Sequence, residues 1–462
     1  MKAERLDVAS AMIVGWLLRA ALVLWGAPRF PPAADGYFYH VLASRLASGQ
    51  GYTWAWPDGA ITHAAHYPVG YPALVAGAYR VLGHEPAVAM GLGALLGGVA
   101  VLAAHRLART VASRSGARLA AWAVALHPAL VLYTPAVMTE GFVASLLLIA
   151  GWVAVETRRA RRGWFGVAAL GAVFAVITLV RPQCILLAPV FGLAASRGRR
   201  WALLLRPVVV SALALALVMP WTARNCTLMG RCVLVSANGG WNLLIGAMPG
   251  ATGGYEALVG AAVPLPCREV FAEAEKDACF GREARAYIMR RPGAWLALAP
   301  RKLSETFDGG GSAAWYLRGA GPDALSEPAT RQLAALEALA ARLLLLLALL
   351  GLARDRPRWQ QGVAGVAAAA LLTPWATVGY LGLVALVALR GRRALEHPPA
   401  LLAAATIAAT ALTHAVFFGA ARYSMVVFGL VAALAGCILT PRRPSGDTAG
   451  PQLENSDAAD RD

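Results

Sequence analysis

The chain has 462 residues, 58% of them hydrophobic and only 15% charged, against roughly 25% charge in an ordinary soluble domain; this argues against a soluble fold. A formal net charge of +17 does not indicate a nucleic-acid partner, because the basic residues stand in short clusters between apolar runs and form no continuous stripe. Membrane topology accounts for them, since loops left in the cytoplasm carry an excess of Lys and Arg.

Apolar runs recur at close to the roughly 20 residues that a helix needs to cross a hydrocarbon core. Lipid offers no partner for unpaired backbone groups, so such runs must be helices. In chain order they predict helices at 8–27, 87–105, 118–134, 141–156, 164–180, 183–196, 202–220, 337–353, 360–375, 377–390, 399–418 and 424–440. That makes an all-α, polytopic membrane protein with about twelve spans, in a range of roughly 11 to 13. The first run carries Arg19 and is followed by no small-residue cleavage site after Trp25, so it reads as a retained helix and not a removed signal. The stretch from Gly362 to Leu389 is long for one pass and short for two. Two passes, bent at Thr373-Pro374-Trp375, keep the basic clusters on either side of it in the cytoplasm.

The clusters assigned to the cytoplasm are Lys2 and Arg5; Arg106, Arg109, Arg114 and Arg118; Arg158, Arg159, Arg161 and Arg162; Arg197, Arg199 and Arg200; Arg354, Arg356 and Arg358; Arg390, Arg392 and Arg393; and Arg442 with Arg443. Two intervening segments then face outward and are too long to be mere connectors. The expected organisation is an N-terminal transmembrane region, 1–220, with a first outer loop at 28–86; a second outer loop, 221–336; a C-terminal transmembrane region, 337–440; and a disordered cytoplasmic tail, 441–462. Residues 73–83 read as an amphipathic or partly inserted helix and residues 268–307 as a helical hairpin lying on the membrane. Cys226, Cys232, Cys267 and Cys279 all fall in the second outer loop, where oxidation is permitted. Of the three pairings that four cysteines allow, local spacing favours Cys226 with Cys232 and Cys267 with Cys279. Four free thiols are the alternative, and zinc is disfavoured because no histidine lies in that loop.

The chemistry-bearing residues follow one another in a definite order. Asp35 comes soon after the first helix, followed by Tyr37 and Tyr39, then Gly49-Gln50-Gly51-Tyr52, then His66-Tyr67-Pro68-Val69-Gly70-Tyr71-Pro72, and then Met138-Thr139-Glu140 at a helix start. Later come Arg181-Pro182, Pro220-Trp221 with Arg224-Asn225, Asn238-Gly239-Gly240 with Asn242-Leu243, and Arg422-Tyr423 opening the last helix. This order resembles the polytopic GT-C glycosyltransferases, in particular a bacterial, glycosyltransferase family 39-like branch related to protein O-mannosyltransferases and lipid A aminoarabinose transferases. The resemblance spans nearly the whole chain. It implies a GT-C architecture and inverting transfer of a hexosyl or pentosyl unit from a polyprenyl-phosphate carrier to a hydroxyl acceptor. That acceptor would be a cell-envelope lipid, polysaccharide or protein, and the reaction would take place at the outer face of the cytoplasmic membrane.

On that reading Asp35 is the general base, because an acceptor hydroxyl is a poor nucleophile until a carboxylate removes its proton; alternatively Asp35 caps the helix formed by 36–48. Glu140 either orients the acceptor, holds a metal with Asp35, or is a helix N-terminal charge favoured by the dipole. His66, with His63 nearby, is a candidate ligand for a divalent ion or a sugar, so Asp35, His66 and Glu140 form the candidate metal set. Arg422, Arg181 and Arg224 are the candidates for contact with the leaving phosphate, each with snorkelling as its alternative. Tyr37 and Tyr423 flank these groups as candidate substrate contacts, while Asn242, with Asn238, either shapes a sugar pocket or belongs to a turn. Two competing functions remain open. A transporter or lipid-linked sugar flippase would carry ionisable residues at mid-bilayer, and an enzyme that ligates whole glycans would rely on arginines in a large outer loop.

Overall fold

A computed structural model describes residues 2–160, 163–198 and 200–440. The tail expected to be disordered, 441–462, lies outside these residues, as do Arg161, Arg162 and Arg199 of the basic clusters. The described residues are mostly helical, with one two-stranded hairpin, and among them seven helices are long and apolar enough to cross a membrane. It is an all-α, multi-pass membrane protein.

The chain begins with α1 (Lys2–Gly26), then lays down α2 (Asp35–Ala47), a small hairpin of β1 (Thr53–Ala55) and β2 (Ile61–His63), and α3 (Gly70–Leu82) before re-entering the bundle as α4 (Pro86–Ala108). The hairpin pairs Thr53 with His63 and Ala55 with Ile61, and no expectation had placed strands there. Next come α5 (Arg114–Leu126), the short α6 (Pro128–Leu132), α7 (Glu140–Arg159), α8 (Trp164–Val180), a 3₁₀ turn over Pro182–Leu187, α9 (Ala188–Ala194) and α10 (Arg200–Leu228). The segment that follows holds α11 (Gly239–Ile245), α12 (Glu273–Arg290), α13 (Pro292–Ala297), α14 (Ala299–Phe307) and α15 (Ser312–Ala320). The chain closes with α16 (Glu327–Ala353), α17 (Arg358–Ala370), α18 (Ala376–Ala388), α19 (Pro398–Val416), a 3₁₀ turn over Ala421–Ser424 and α20 (Met425–Ala435).

The run expected as one helix at 118–134 is broken between α5 and α6, and the cause is Pro128. Proline forces the preceding residue out of helical geometry, and His127 is extended at φ −58°, ψ 117°. It also has no N–H to return to the carbonyl four residues back. That carbonyl, Val124, instead accepts from Arg19 of α1 at 3.0 Å, and Ala125 accepts from the same guanidinium at 3.0 Å. A buried arginine in lipid is tolerable only with such partners, so the charge in the first apolar run is a repair of the helix break.

α4 packs against α1, α5 and α7, while α20 packs against α5, α7, α16 and α19. Alanines and glycines line the buried side of α4, among them Ala94, Gly97, Gly98 and Ala104, which lets the backbones approach closely. Every residue of α20 is buried, as suits a helix that is apolar all round. α17 and α18 are 13 residues each, so each is about 20 Å long. Between them the turn carbonyls of Leu371 and Thr373 accept from Arg342 of α16, at the bend expected from Thr373-Pro374-Trp375.

The bundle has two chemically distinct ends. At one end Arg158 donates to the Leu395 carbonyl, Arg354 to those of Ile438 and Thr440, and Ser113 to that of Leu439, which gathers the basic clusters. At the opposite end lie Asp35, Glu140, Arg181 and Arg422. Gly70 fixes α3 there, because a Cβ at this position would stand 2.5 Å from backbone atoms of Leu179 and Val180 at the end of α8. Gly70→Ala should therefore lower stability by about 1–3 kcal/mol through overpacking. Thermal unfolding in detergent checks this, and a melting curve like that of wild type would mean the close approach is absent.

Candidate functional site

Three helix starts and one helix end converge on the site. Asp35 is the first residue of α2, and the residue before it, Ala34, has φ 48°, the one positive φ outside glycine among the described residues. Such a conformation costs on the order of 1–3 kcal/mol and needs surrounding structure to hold it. Tyr316 of α15 supplies that support, donating from its hydroxyl to the Ala33 carbonyl at 2.9 Å. Ala34, not Asp35, occupies the N-cap position, and no side chain caps α2. The Asp35 carboxylate points away from its own helix.

That carboxylate meets Arg422, whose Nη1 lies 2.8 Å from Oδ2, and it accepts at Oδ1 from the Tyr67 hydroxyl at 3.3 Å. Arg422 sits on the 3₁₀ turn before α20 and reaches in a second direction, with Nε 3.5 Å from Glu140 Oε1. Glu140 opens α7 and is 1% exposed. The same oxygen takes Arg181 Nη2 at 2.9 Å, and its other oxygen accepts from Tyr133 at 3.3 Å. Asp35, Arg422, Glu140 and Arg181 thus form an alternating, charge-balanced chain. Tyr423 lies against both cations, with the two guanidinium carbons 5.1 and 5.2 Å from its ring centre, and it also stacks on His414 at 4.0 Å. Both arginines occupy breaks in helical geometry: Arg181 is extended between α8 and the 3₁₀ turn, and Arg422 lies on the turn itself. Irregular backbone at the edge of a membrane bundle survives where it is buried in protein or lines a wet cavity.

The other sequence candidates lie around this chain and are not part of it. His66 turns its ring edge-on to Tyr67 and Trp241. Burial pushes its imidazole down to about 4 despite the nearby Asp35, so the ring is neutral at pH 7. His63 is exposed on β2. Tyr37 is half-exposed and packs against Phe38 and Trp54. Arg224 donates to the Ala64 and Tyr52 carbonyls at 2.8 and 2.9 Å and lies over Trp221, which ties the first segment to the end of α10. Asn242 sits within α11, its N–H bonded to the Asn238 carbonyl, and Asn238 accepts from Ser236 in the turn before that helix. Asp35, His66 and Glu140 do not gather into an ion site. Among the described residues no three His, Cys, Asp or Glu side chains are placed to hold a metal, and both carboxylates already face a guanidinium. Cys226 pairs with Cys232 and Cys267 with Cys279.

Two groups at the centre were not singled out from the sequence. Tyr67 was quoted only as part of the His66–Pro72 motif, and Tyr133 gave no signal, being one more aromatic in an apolar run. Burial and the Asp35 carboxylate both push the Tyr67 phenol up, so it remains a proton donor to Asp35.

Residues 66–223 match the family of dolichyl-phosphate-mannose-protein mannosyltransferases, which bears out the resemblance to protein O-mannosyltransferases over about a third of the chain. The matched stretch contains Glu140 and Arg181. Among solved structures, the chain is similar to the archaeal oligosaccharyltransferase AglB from Archaeoglobus fulgidus in complex with an inhibitory peptide and a dolichol-phosphate, at 14% identity and TM-score 0.46, covering 94% of this chain and 50% of that one. It is similar also to the Archaeoglobus fulgidus oligosaccharyltransferase in the apo form, at 13% identity, TM-score 0.48, and 94% and 50% coverage. A further similar structure is that enzyme's complex with Zn and sulfate, at 14% identity, TM-score 0.45, and 93% and 48% coverage. The chain spans about half the length of these relatives. No curated protein matches it.

Removing Glu140 would leave two guanidinium groups facing each other in a buried setting. Glu140→Ala should cost about 3–5 kcal/mol, the usual penalty for stranding one partner of a buried pair, and Glu140→Gln less. Denaturant-induced unfolding in detergent measures both. A loss under about 1 kcal/mol for the alanine variant would mean the pair is solvated like a surface ion pair.

Proposed function

We propose that the protein transfers a sugar from a polyprenyl-phosphate carrier to a hydroxyl acceptor, with inversion at the anomeric carbon, at the outer face of the cytoplasmic membrane. The observation that carries this reading is the chain of Asp35, Arg422, Glu140 and Arg181 at the end of the bundle opposite the basic clusters. If the positive-inside rule holds, that end faces outward. The family match over 66–223 supports a glycosyl transfer from a lipid phosphate.

In this reaction the acceptor oxygen attacks the anomeric carbon while Asp35 takes the hydroxyl proton. The bond from that carbon to the phosphate oxygen breaks, and its electron pair stays on the phosphate. Charge therefore grows on the departing lipid phosphate, where Arg422 and Arg181 would meet it with charge-assisted hydrogen bonds. Glu140 keeps both guanidinium groups oriented. The products are a glycoside and a polyprenyl phosphate, which balances atoms and charge once Asp35 releases its proton.

A transporter would carry ionisable residues at mid-bilayer; Arg19, inside the first apolar run, has donors ending on the Gly15, Val124 and Ala125 carbonyls, so it serves the fold.

The test places purified protein in nanodiscs with labelled polyprenyl-phosphate sugars and a membrane extract as acceptor. Asp35→Asn should bind the donor while lowering turnover at least about 10²-fold; turnover near that of wild type would move the base elsewhere. In the same assay Arg422→Lys should already be impaired, since a point charge cannot reproduce the guanidinium fork that spans two partners. Unchanged kinetics in that variant would remove Arg422 from the reaction.

A further inference from the structure

The short strap Ala64–Tyr67 is held far more tightly than a connecting loop requires. The Ala64 N–H donates to the Tyr52 carbonyl, and the Ala64 carbonyl accepts from Arg224. The Ala65 carbonyl accepts from the Ala237 N–H, and the Tyr67 carbonyl accepts from the Tyr52 hydroxyl at 2.8 Å. The N–H groups of Ala65 and His66 both end on one oxygen of Glu273, at 2.6 and 2.9 Å. Glu273 is the first residue of α12, more than two hundred residues further along the chain. One helical turn on, Asp277 accepts from the Trp241 N–H at 2.8 Å, which seats α11 and brings Trp241 against His66. The side chain of the strap that hydrogen-bonds to the charged chain is Tyr67, stacked on Phe38 at 4.8 Å and donating to Asp35.

Burying Glu273 disfavours its charged form, and the two backbone donors together with Arg224 work against that penalty. A buried carboxylate whose partners are two adjacent main-chain amides fixes where that main chain lies to within a hydrogen-bond length. We propose that Glu273 is a positioning residue for Asp35, acting through the Ala65–His66 backbone and the Tyr67 hydroxyl. The proposal rests on the reading of Asp35 as the base. It makes the second segment part of the machinery that orients the carboxylate.

The readout is the acidic limb of the pH–rate profile for sugar transfer, which reports the protonation of the base. Besides Tyr67, the groups facing Asp35 are Arg422 from the turn before α20, Tyr39 from α2, Tyr133 at the end of α6, Tyr316 from α15, Tyr255 and His66 from the two segments, and Glu140 and Arg181 through Arg422. None of these is altered in the variants. Tyr67→Phe keeps the ring and its stack but loses a hydrogen bond to the charged form, so the limb should move up by about one pH unit. Glu273→Ala should move the same limb in the same direction, and the double variant should move it no further than Tyr67→Phe does. Glu273→Gln, whose amide oxygen still accepts from both N–H groups, should restore the wild-type limb.

A rate lowered equally at every pH in Glu273→Ala, with the limb unmoved, would reduce Glu273 to a structural tie and overturn the proposal. An unmoved limb in Tyr67→Phe overturns it as well, whether or not Glu273→Ala folds. A wild-type limb that persists in Asp35→Asn instead removes Asp35 as the base, and this outcome is distinguishable from failure of the relay alone.

Discussion

Glu140 is a carboxylate buried at the mouth of a membrane bundle, and two guanidinium groups make that burial tolerable. An unpaired charge there would carry a desolvation cost of several kcal/mol, so Arg181 and Arg422 must both arrive. Their arrival dictates local backbone: α8 ends so that Arg181 can turn inward, and a 3₁₀ turn precedes α20 so that Arg422 can reach Glu140 and Asp35 together. The strained Ala34 and the Tyr316 hydroxyl beneath it complete the same requirement from the side of α2. The end of the bundle is organised around satisfying these charges.

Most of the membrane part was legible in the sequence because lipid imposes one structure on a long apolar run. Helices expected at 164–180, 377–390 and 399–418 appear within two residues of those limits, as α8, α18 and α19. Departures have local physical causes. α16 starts at Glu327, ten residues before its apolar run, because Ser326 caps it and Pro328 suits a first turn. α10 continues past Pro220 to Leu228, where Trp221 and Asn225 find carbonyl partners on the returning chain. The hairpin of β1 and β2 has only three residues per strand and is held by its surroundings, which no propensity reveals.

The charged chain was legible for a related reason. Asp35, Glu140, Arg181 and Arg422 stand at the ends of apolar runs, where an ionisable residue is conspicuous, and the structure brings all four together. Arg224 gives the same signal yet is directed to the carbonyls of the first segment. One dimension cannot separate the two cases, because both obey the same need for partners. Tyr67, Tyr133 and Glu273 were illegible as contacts, since a tyrosine near an interface and a glutamate in a mixed helix are ordinary residues. Their significance lies in which distant backbone or carboxylate they meet.

The two disulfides carry a consequence for how the protein is made. Cys267–Cys279 ties α12, which holds the strap beside Asp35, and Cys226–Cys232 closes the chain reversal after α10. Cytosolic thiol pools keep such pairs reduced, so on the outward orientation proposed above both bonds close only after this stretch has left the cytosol. By then α1 through α10 have already been synthesised. On that orientation biogenesis is ordered in time: the bundle half that carries Glu140 and Arg181 is threaded into lipid first, and the second segment is stapled afterwards by the oxidising machinery of the receiving compartment. A cell-free or cytosolic expression system run under strong reductant would yield inserted helices whose second segment was never sealed.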